Sequence, residues 1–427
     1  MSNWAGEHLA HFVYWKIQQI RLIIQEKGGI TMQEALDFLT ITDREAVDRL
    51  TATLFSHHLL IVGQTGSGKT TTTLSLLGQL QQLNQTAIIL DPTGEYTKLP
   101  NAITYRLGDN CYLEAGKLTV DQLLTTLQLQ VDPGLQAKLR QAVTDLQIQH
   151  NIQDAPGIYR RLGRSLADYQ ADENQLGAWA SDFPVQDLFA QLIEEFVVPF
   201  ADDRADYTCL GQQYDRATIN HYWPLLTAIH DQLASPTFRA LFDIDHHAGT
   251  MKSELNFILK MFLHHRSSHR TLVVDLSLLK DYEESQRLII SLLLKEILRL
   301  RLHDNAGFPV NVIIDEAHRY LPKDERDLAD NGIFQLVREG RKLDLKMILT
   351  TQSPLDLPAR LRSQFSDLLV HRLLDQAEIA SLPSAGLTLQ DAGALSVGQA
   401  ALCVFGEAPT LVKVNLPEWR KAGGHRD

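Results

Sequence analysis

The run Gly63-Gln64-Thr65-Gly66-Ser67-Gly68-Lys69-Thr70, followed by Thr71, is where residue types most plainly prescribe chemistry. It fits the spacing GxxxxGK[ST] at every position. Glycines so placed allow a tight loop whose backbone N–H groups point at phosphate oxygens. The apolar run LLIV (59–62) precedes the loop and the helical pattern TTTLSLLGQL follows it. A helix N-terminus therefore adds its positive dipole end to the same anion. Lys69 is expected to bridge the β- and γ-phosphates of ATP, and Thr70 to ligate Mg²⁺. A second half-site is needed, and VNVIID (310–315) supplies it with the adjacent pair Asp315-Glu316. Asp315 at a strand end can hold the Mg²⁺ shell, and Glu316 can polarise the attacking water. A carboxylate base there implies hydrolysis rather than nucleotide storage.

The elements that must position these groups alternate. Apolar runs at 59–62, 86–91, 271–276, 310–315, 345–351, 367–373 and 401–405 read as strands, and 284–302 reads as an amphipathic helix between them. Such alternation predicts a mainly parallel sheet with crossover helices. Four segments are expected: an N-terminal helical domain over 1–55, the P-loop half of the core over 56–112, a helical insertion over 113–265, and the rest of the core over 266–427. In the first, 8–27 has helical spacing closed by Gly28-Gly29, and 30–55 reads as two short helices capped by Thr31 and Thr42, with Glu34 and Glu45 completing capping boxes. Three short helices resemble a loose helix-turn-helix, but Asp43–Phe55 offers no basic recognition face.

"DEAH" at Asp315–His318 invites comparison with DEAH-box helicases. The comparison fails on spacing, because more than half the chain separates Lys69 from Asp315 and too little follows for a second motor domain. The order AIILDPTGEY (87–96), IIDEAHRYLP (313–322), VREGRKLDLKMILTTQSPLDLP (337–358) and ALSVGQAALCVFGEAPTLVKVNLP (394–417) instead resembles the HerA branch of the HerA–FtsK superfamily of ring-forming ATPases, over roughly 56–417. The resemblance implies an α/β, RecA-like P-loop NTPase fold and a homohexameric ring that translocates or unwinds DNA, acting with a separate nuclease in DNA-end processing or antiviral defence. Gln352 would be a polar sensor of the γ-phosphate or lytic water. Arg338 or Arg341, beside Lys342, would neutralise transition-state charge within a subunit or across an interface. The chain departs from the family in starting with helices where a small β-barrel is usual, and in having Arg49 and then His57-His58 where a trans-acting arginine commonly precedes the first strand. Asp91 and Glu95 lie at the end of the second strand, as metal-shell support or as loop structure.

With 44% hydrophobic and 22% charged residues the chain reads as a globular protein. No apolar window approaches the roughly 18 residues of a membrane span, and Glu7 and Lys16 interrupt the N-terminal apolar stretch, so neither signal peptide nor membrane attachment is expected. Cys111, Cys209 and Cys403 include no CxxC pair and read as reduced, buried thiols of a cytoplasmic protein. His246-His247 and His264-His265 read as surface histidines rather than a metal site. The net charge of −12 opposes binding nucleic acid over the whole surface. A cationic channel is still compatible with it, and Arg319, Lys323 and Arg326 after the acidic pair are pore candidates for sequence-independent DNA contact, or else a salt-bridged surface loop. The alternative function is a nucleotide-controlled scaffold for a partner effector.

Overall fold

The structure is a computed structural model, and it describes residues 38–41, 57–245, 251–265, 269–303, 307–382, 385–404 and 406–421. Ten strands of the described residues matter here: β1 (Leu39–Ile41), β2 (Leu59–Val62), β3 (Thr86–Asp91), β4 (Ala102–Arg106), β5 (Thr271–Asp275), β6 (Val310–Ile314), β7 (Leu345–Thr351), β8 (Asp367–Val370), β9 (Gln399–Cys403) and β10 (Thr410–Val414). Among the helices, α1 is Lys69–Gln82, α2 is Pro133–Gln147, α3 is Arg216–Ala234, α4 is Leu255–His264, α5 is Glu283–His303 and α6 is Gly332–Glu339. The chain divides into two compact units, one formed by the segments before Asn84 and after Thr350, the other by Asn84–Thr350.

In the larger unit five strands run parallel in the order β7-β6-β3-β5-β4. β3, β5 and β6 are buried along their whole length, which is why they read as continuous apolar runs rather than alternating ones. Register sets Leu90 beside Ile314 and Asp91 beside Asp275. The carboxyl ends of β3, β5 and β6, each closing on or next to an aspartate, therefore share one edge. β4 escapes sequence reading because its residues are mostly half-buried and it borders only β5.

Residues 113–265 carry helices α2, α3 and α4 among turns, with two-residue strand pairs joining 111–112 to 253–254 and 197–198 to 213–214. α2 is opened by Asp132, whose carboxylate accepts from the N–H groups of Gly134 and Leu135, with Pro133 preset for the first turn. The segment hides charge: Arg161 reaches Asp145 at 2.6 Å and Glu195 at 3.2 Å, all three buried. Burial and the neighbouring Asp145 hold the Glu195 carboxyl well above the usual range.

In the smaller unit β2 pairs parallel with β8, and β8, β9, β10 and β1 continue antiparallel. Leu39–Ile41, expected inside a helix, is instead strand β1, with Leu39 facing Val414 and Ile41 facing Val412. Pairing with the alternating strand TLVKV outweighed the weak local helical spacing. The other N-terminal expectations (helix 8–27, the caps Thr31 and Thr42, and Arg49) lie outside the described residues, as do His246-His247. Cys111 and Cys403 are buried, burial pushing both thiols up to about 12, whereas Cys209, expected buried, is half-exposed. Among the described residues no helix is long and apolar enough to cross a membrane.

Candidate active site

The phosphate loop is built where β2 ends. A Cβ on Gly63 would meet the His371 Cβ at 2.5 Å and the Ser67 Oγ at 2.8 Å, so only glycine lets the chain turn here. Gly68, at φ 113° and ψ 11°, makes the left-handed turn into α1. Lys69 is 7% exposed and donates its ammonium to the Gly63 carbonyl at 2.8 Å and the Gln64 carbonyl at 3.4 Å. The Ser67 hydroxyl is buried without a hydrogen-bond partner. An ammonium resting on loop carbonyls and an unsatisfied hydroxyl in a glycine-rich turn fit a phosphate group, which would satisfy both. Gln352 lies against this loop, its Oε1 accepting from Thr65 Oγ1 at 2.9 Å. Thr70 and Thr65 are exposed.

His371 was not singled out as a functional residue by the sequence; its only signal was an imidazole at the end of the apolar run DLLV. It is fully buried, with Nδ1 2.9 Å from the Gln399 carbonyl and Nε2 2.9 Å from Thr72 Oγ1 on the first turn of α1. A carbonyl only accepts, so the neutral ring carries its proton on Nδ1 and accepts from Thr72 through Nε2. The loop is also tied to Gly398, whose N–H donates to the Ser67 carbonyl at 3.4 Å. Burial depresses His371 to about 4 from an ordinary 6.5. The unfolded chain thus binds a proton between pH 6.5 and 4 that the folded chain refuses, so this stability is complete above pH 6.5 and lost as pH falls to 4. The span corresponds to about 3 kcal/mol. Chemical denaturation of wild type and His371→Gln at pH 7 and pH 4.5 is expected to show a smaller acid loss in the variant; equal losses would refute the assignment.

The acidic residues stand on the larger unit. Asp91, ending β3, is fully buried and spends both oxygens on its own loop: Oδ1 accepts from the N–H of Thr93, Gly94 and Glu95, and Oδ2 from the N–H of Tyr96 at 2.8 Å. Of the two roles open for Asp91, the structure shows loop construction. Burial still leaves its carboxyl above the usual range, against the lowering by these N–H donors. The turn delivers Tyr96, 2% exposed, whose hydroxyl donates to Asp315 Oδ2 at 2.8 Å. Thr350 Oγ1 donates to Asp315 Oδ1. Glu316 follows in the left-handed region, φ 48° and ψ 49°, an uncommon conformation for a side chain of this size, and its N–H donates to Thr350 Oγ1 at 2.9 Å. His318 Nδ1 lies 3.5 Å from Glu316 Oε2. Partial burial, then Asp315, Asp91 and Glu316 hold the Glu95 carboxyl above its usual range. The structure thus gathers Glu95, Asp315 and Glu316, with Tyr96 and Thr350 as members that the sequence did not reveal.

Arg338 and Arg341 are exposed on the last turn of α6 and the turn after it; Arg338 lies over the Phe334 ring, 5.5 Å from its centroid. Among the described residues neither has an ion-pair partner. The pore candidates differ: Arg319 pairs with Glu283 at 3.8 Å, Lys323 with Glu284 at 3.8 Å, and Arg326 with Asp324.

A phosphate loop opening α1, and parallel strands ending in an acidic pair, define a P-loop NTPase of RecA-like architecture. The family model described as "Helicase HerA, central domain" matches residues 42–297. The chain belongs to that HerA family. A probable helicase of Methanocaldococcus jannaschii is 21% identical over 394 residues, 87% of this chain and 64% of the relative. The DNA double-strand break repair helicase HerA of Sulfolobus acidocaldarius is 22% identical over 387 residues, 86% of this chain and 66% of the relative. This chain therefore spans just under two thirds of the length of these relatives. Among solved structures, VirB4 of Thermoanaerobacter pseudethanolicus shares the fold, with a TM-score of 0.55 at 13% identity over 85% of this chain and 90% of that one.

Proposed function

We propose that this chain is an ATP-hydrolysing motor of HerA type that moves on DNA without reading its sequence. The observation that carries the reading is the phosphate loop itself: Lys69 poised on two carbonyls, and the Ser67 hydroxyl buried without a partner, at the entrance of α1. ATP binding transfers Lys69 from those carbonyls to the phosphates, while the backbone N–H groups of Gly63–Thr71 cradle them. Thr70 and Asp315 are hard oxygen ligands of the kind Mg²⁺ takes, and would hold it. When bound, the ion neutralises charge on the phosphates. Glu316 accepts the proton of the attacking water, Gln352 orients that water or the γ-phosphate, and Arg338 or Arg341 offsets the charge that develops. Arg338 and Arg341, exposed and without carboxylate partners among the described residues, suit completion of the site by a neighbouring copy, which supports a closed ring, a hexamer in this reading. Cutting of DNA belongs to a separate nuclease, in end processing or in defence.

The net charge of −12 and the carboxylate partners of Arg319, Lys323 and Arg326 favour a second reading, a nucleotide-controlled scaffold for a partner effector. The two readings separate on DNA. Ion pairs as exposed as Arg326–Asp324 hold their partners weakly in water, so a DNA phosphate can displace the carboxylate. A motor is expected to bind DNA with steep salt dependence and to hydrolyse ATP faster in its presence. Removing Lys323 and Arg326 together should flatten the log–log salt slope by roughly two per engaged subunit while leaving DNA-free ATPase intact. An unchanged slope removes these residues from the pore. A wild-type protein that neither binds DNA nor responds to it at low salt is a scaffold.

A further inference from the structure

We propose that Tyr96 and Thr350 are positioning residues for Asp315, fixing its carboxylate for the metal that accompanies the nucleotide. The inference rests on the reading of Asp315 as the metal-shell carboxylate. Each Asp315 oxygen accepts one hydroxyl, Oδ2 from Tyr96 at 2.8 Å and Oδ1 from Thr350. The two donors come from different elements, the loop after β3 and the end of β7, so they fix the rotation of the carboxylate plane as well as its place. Oδ1 also accepts the Glu316 N–H at 3.1 Å, whereas Oδ2, with Tyr96 as its one donor among the described residues, keeps acceptor capacity for a further partner, since a carboxylate offers about four acceptor sites.

Both donors are themselves fixed. Thr350 is fully buried and accepts the Glu316 N–H, so its single proton is free to go to Asp315. Tyr96 is delivered by the turn that Asp91 organises and is 2% exposed, its hydroxyl proton directed at Asp315. The motif DPTGEY thus acquires a physical role: its aspartate builds a turn, and its tyrosine uses the turn to reach across to the carboxylate after β6. Outer hydrogen bonds of this kind typically change metal affinity by about 10–100-fold when removed.

The same hydroxyls could simply satisfy a carboxylate at a strand end, which would affect folding and leave metal affinity alone. The discriminating measurement is Mn²⁺ binding to the full-length protein in complex with a non-hydrolysable ATP analogue, read from the electron paramagnetic resonance signal of free Mn²⁺. Nucleotide affinity in EDTA is measured alongside. Tyr96→Phe and Thr350→Val are each expected to weaken Mn²⁺ binding about 10-fold or more with nucleotide affinity in EDTA unchanged, and Thr350→Ser to restore it. Asp315→Ala is the reference. If it weakens Mn²⁺ binding while either hydroxyl deletion stays within about twofold of wild type, the positioning role is overturned. If Asp315→Ala itself leaves Mn²⁺ binding unchanged, the reading of Asp315 fails instead.

Discussion

Glu316→Gln is expected to bind ATP with near wild-type affinity and to turn it over about 10²–10⁴ times more slowly, the contribution of a positioned general base. The amide keeps the size of the side chain and can occupy the same left-handed backbone, so the turn held by Thr350 is preserved and only proton acceptance is lost. Lys69→Ala is expected to give the opposite signature, because it removes the ammonium proposed to bridge the phosphates, so that affinity falls with turnover. Equilibrium binding of a fluorescent ATP analogue, with phosphate release measured under single-turnover conditions, separates the two. Near-normal turnover in Glu316→Gln would remove it from the role of base.

Arg341→Ala is the second large effect. An arginine that meets transition-state charge contributes roughly 10³–10⁵ in rate. Arg341 is exposed and, among the described residues, has neither an ion pair nor a ring contact, whereas Arg338 lies over Phe334. Its loss is expected to lower turnover about 10³-fold while ATP affinity holds, with a smaller effect from Arg338→Ala. If the arginine serves a neighbouring copy, mixing inactive Arg341→Ala with inactive Glu316→Gln restores activity, because some interfaces then pair an intact arginine with an intact glutamate. No recovery in mixed, co-assembled rings places the arginine in its own subunit.

Much of the fold was legible because buried parallel strands declare themselves: TAIILD, TLVVD and VNVII are continuous apolar runs, and each is a strand. The same logic hid β4, whose residues are half-buried, and β1, whose three residues are strand only because β10 pairs with them. The phosphate loop was fully legible, since its chemistry is local and nearly every position is constrained. Gln352 was named as a sensor from the family resemblance, and its Oε1 accepts from Thr65 in this loop. Tyr96, Thr350 and His371 were not, for each acts through a partner far along the chain: Asp315 lies 219 residues from Tyr96, and Thr72 lies 299 from His371. Single-residue types carry no record of such pairings. The buried set Asp145, Arg161 and Glu195 is illegible for a related reason, because each residue alone looks like ordinary solvated charge.

The strand pair β1–β10 has a mechanical meaning. Leu39 faces Val414, the Val414 N–H is bonded to the Gly398 carbonyl at 2.8 Å, and the Gly398 N–H is bonded to the Ser67 carbonyl. One position further on, the Gln399 carbonyl meets His371, which holds Thr72. A pull on the chain at residue 39 therefore has a short line of tension across three backbone pairings into the glycine-rich turn before α1. A load applied to the chain ahead of that strand would reach the glycine-rich turn through backbone pairings alone, with no side chain in the line.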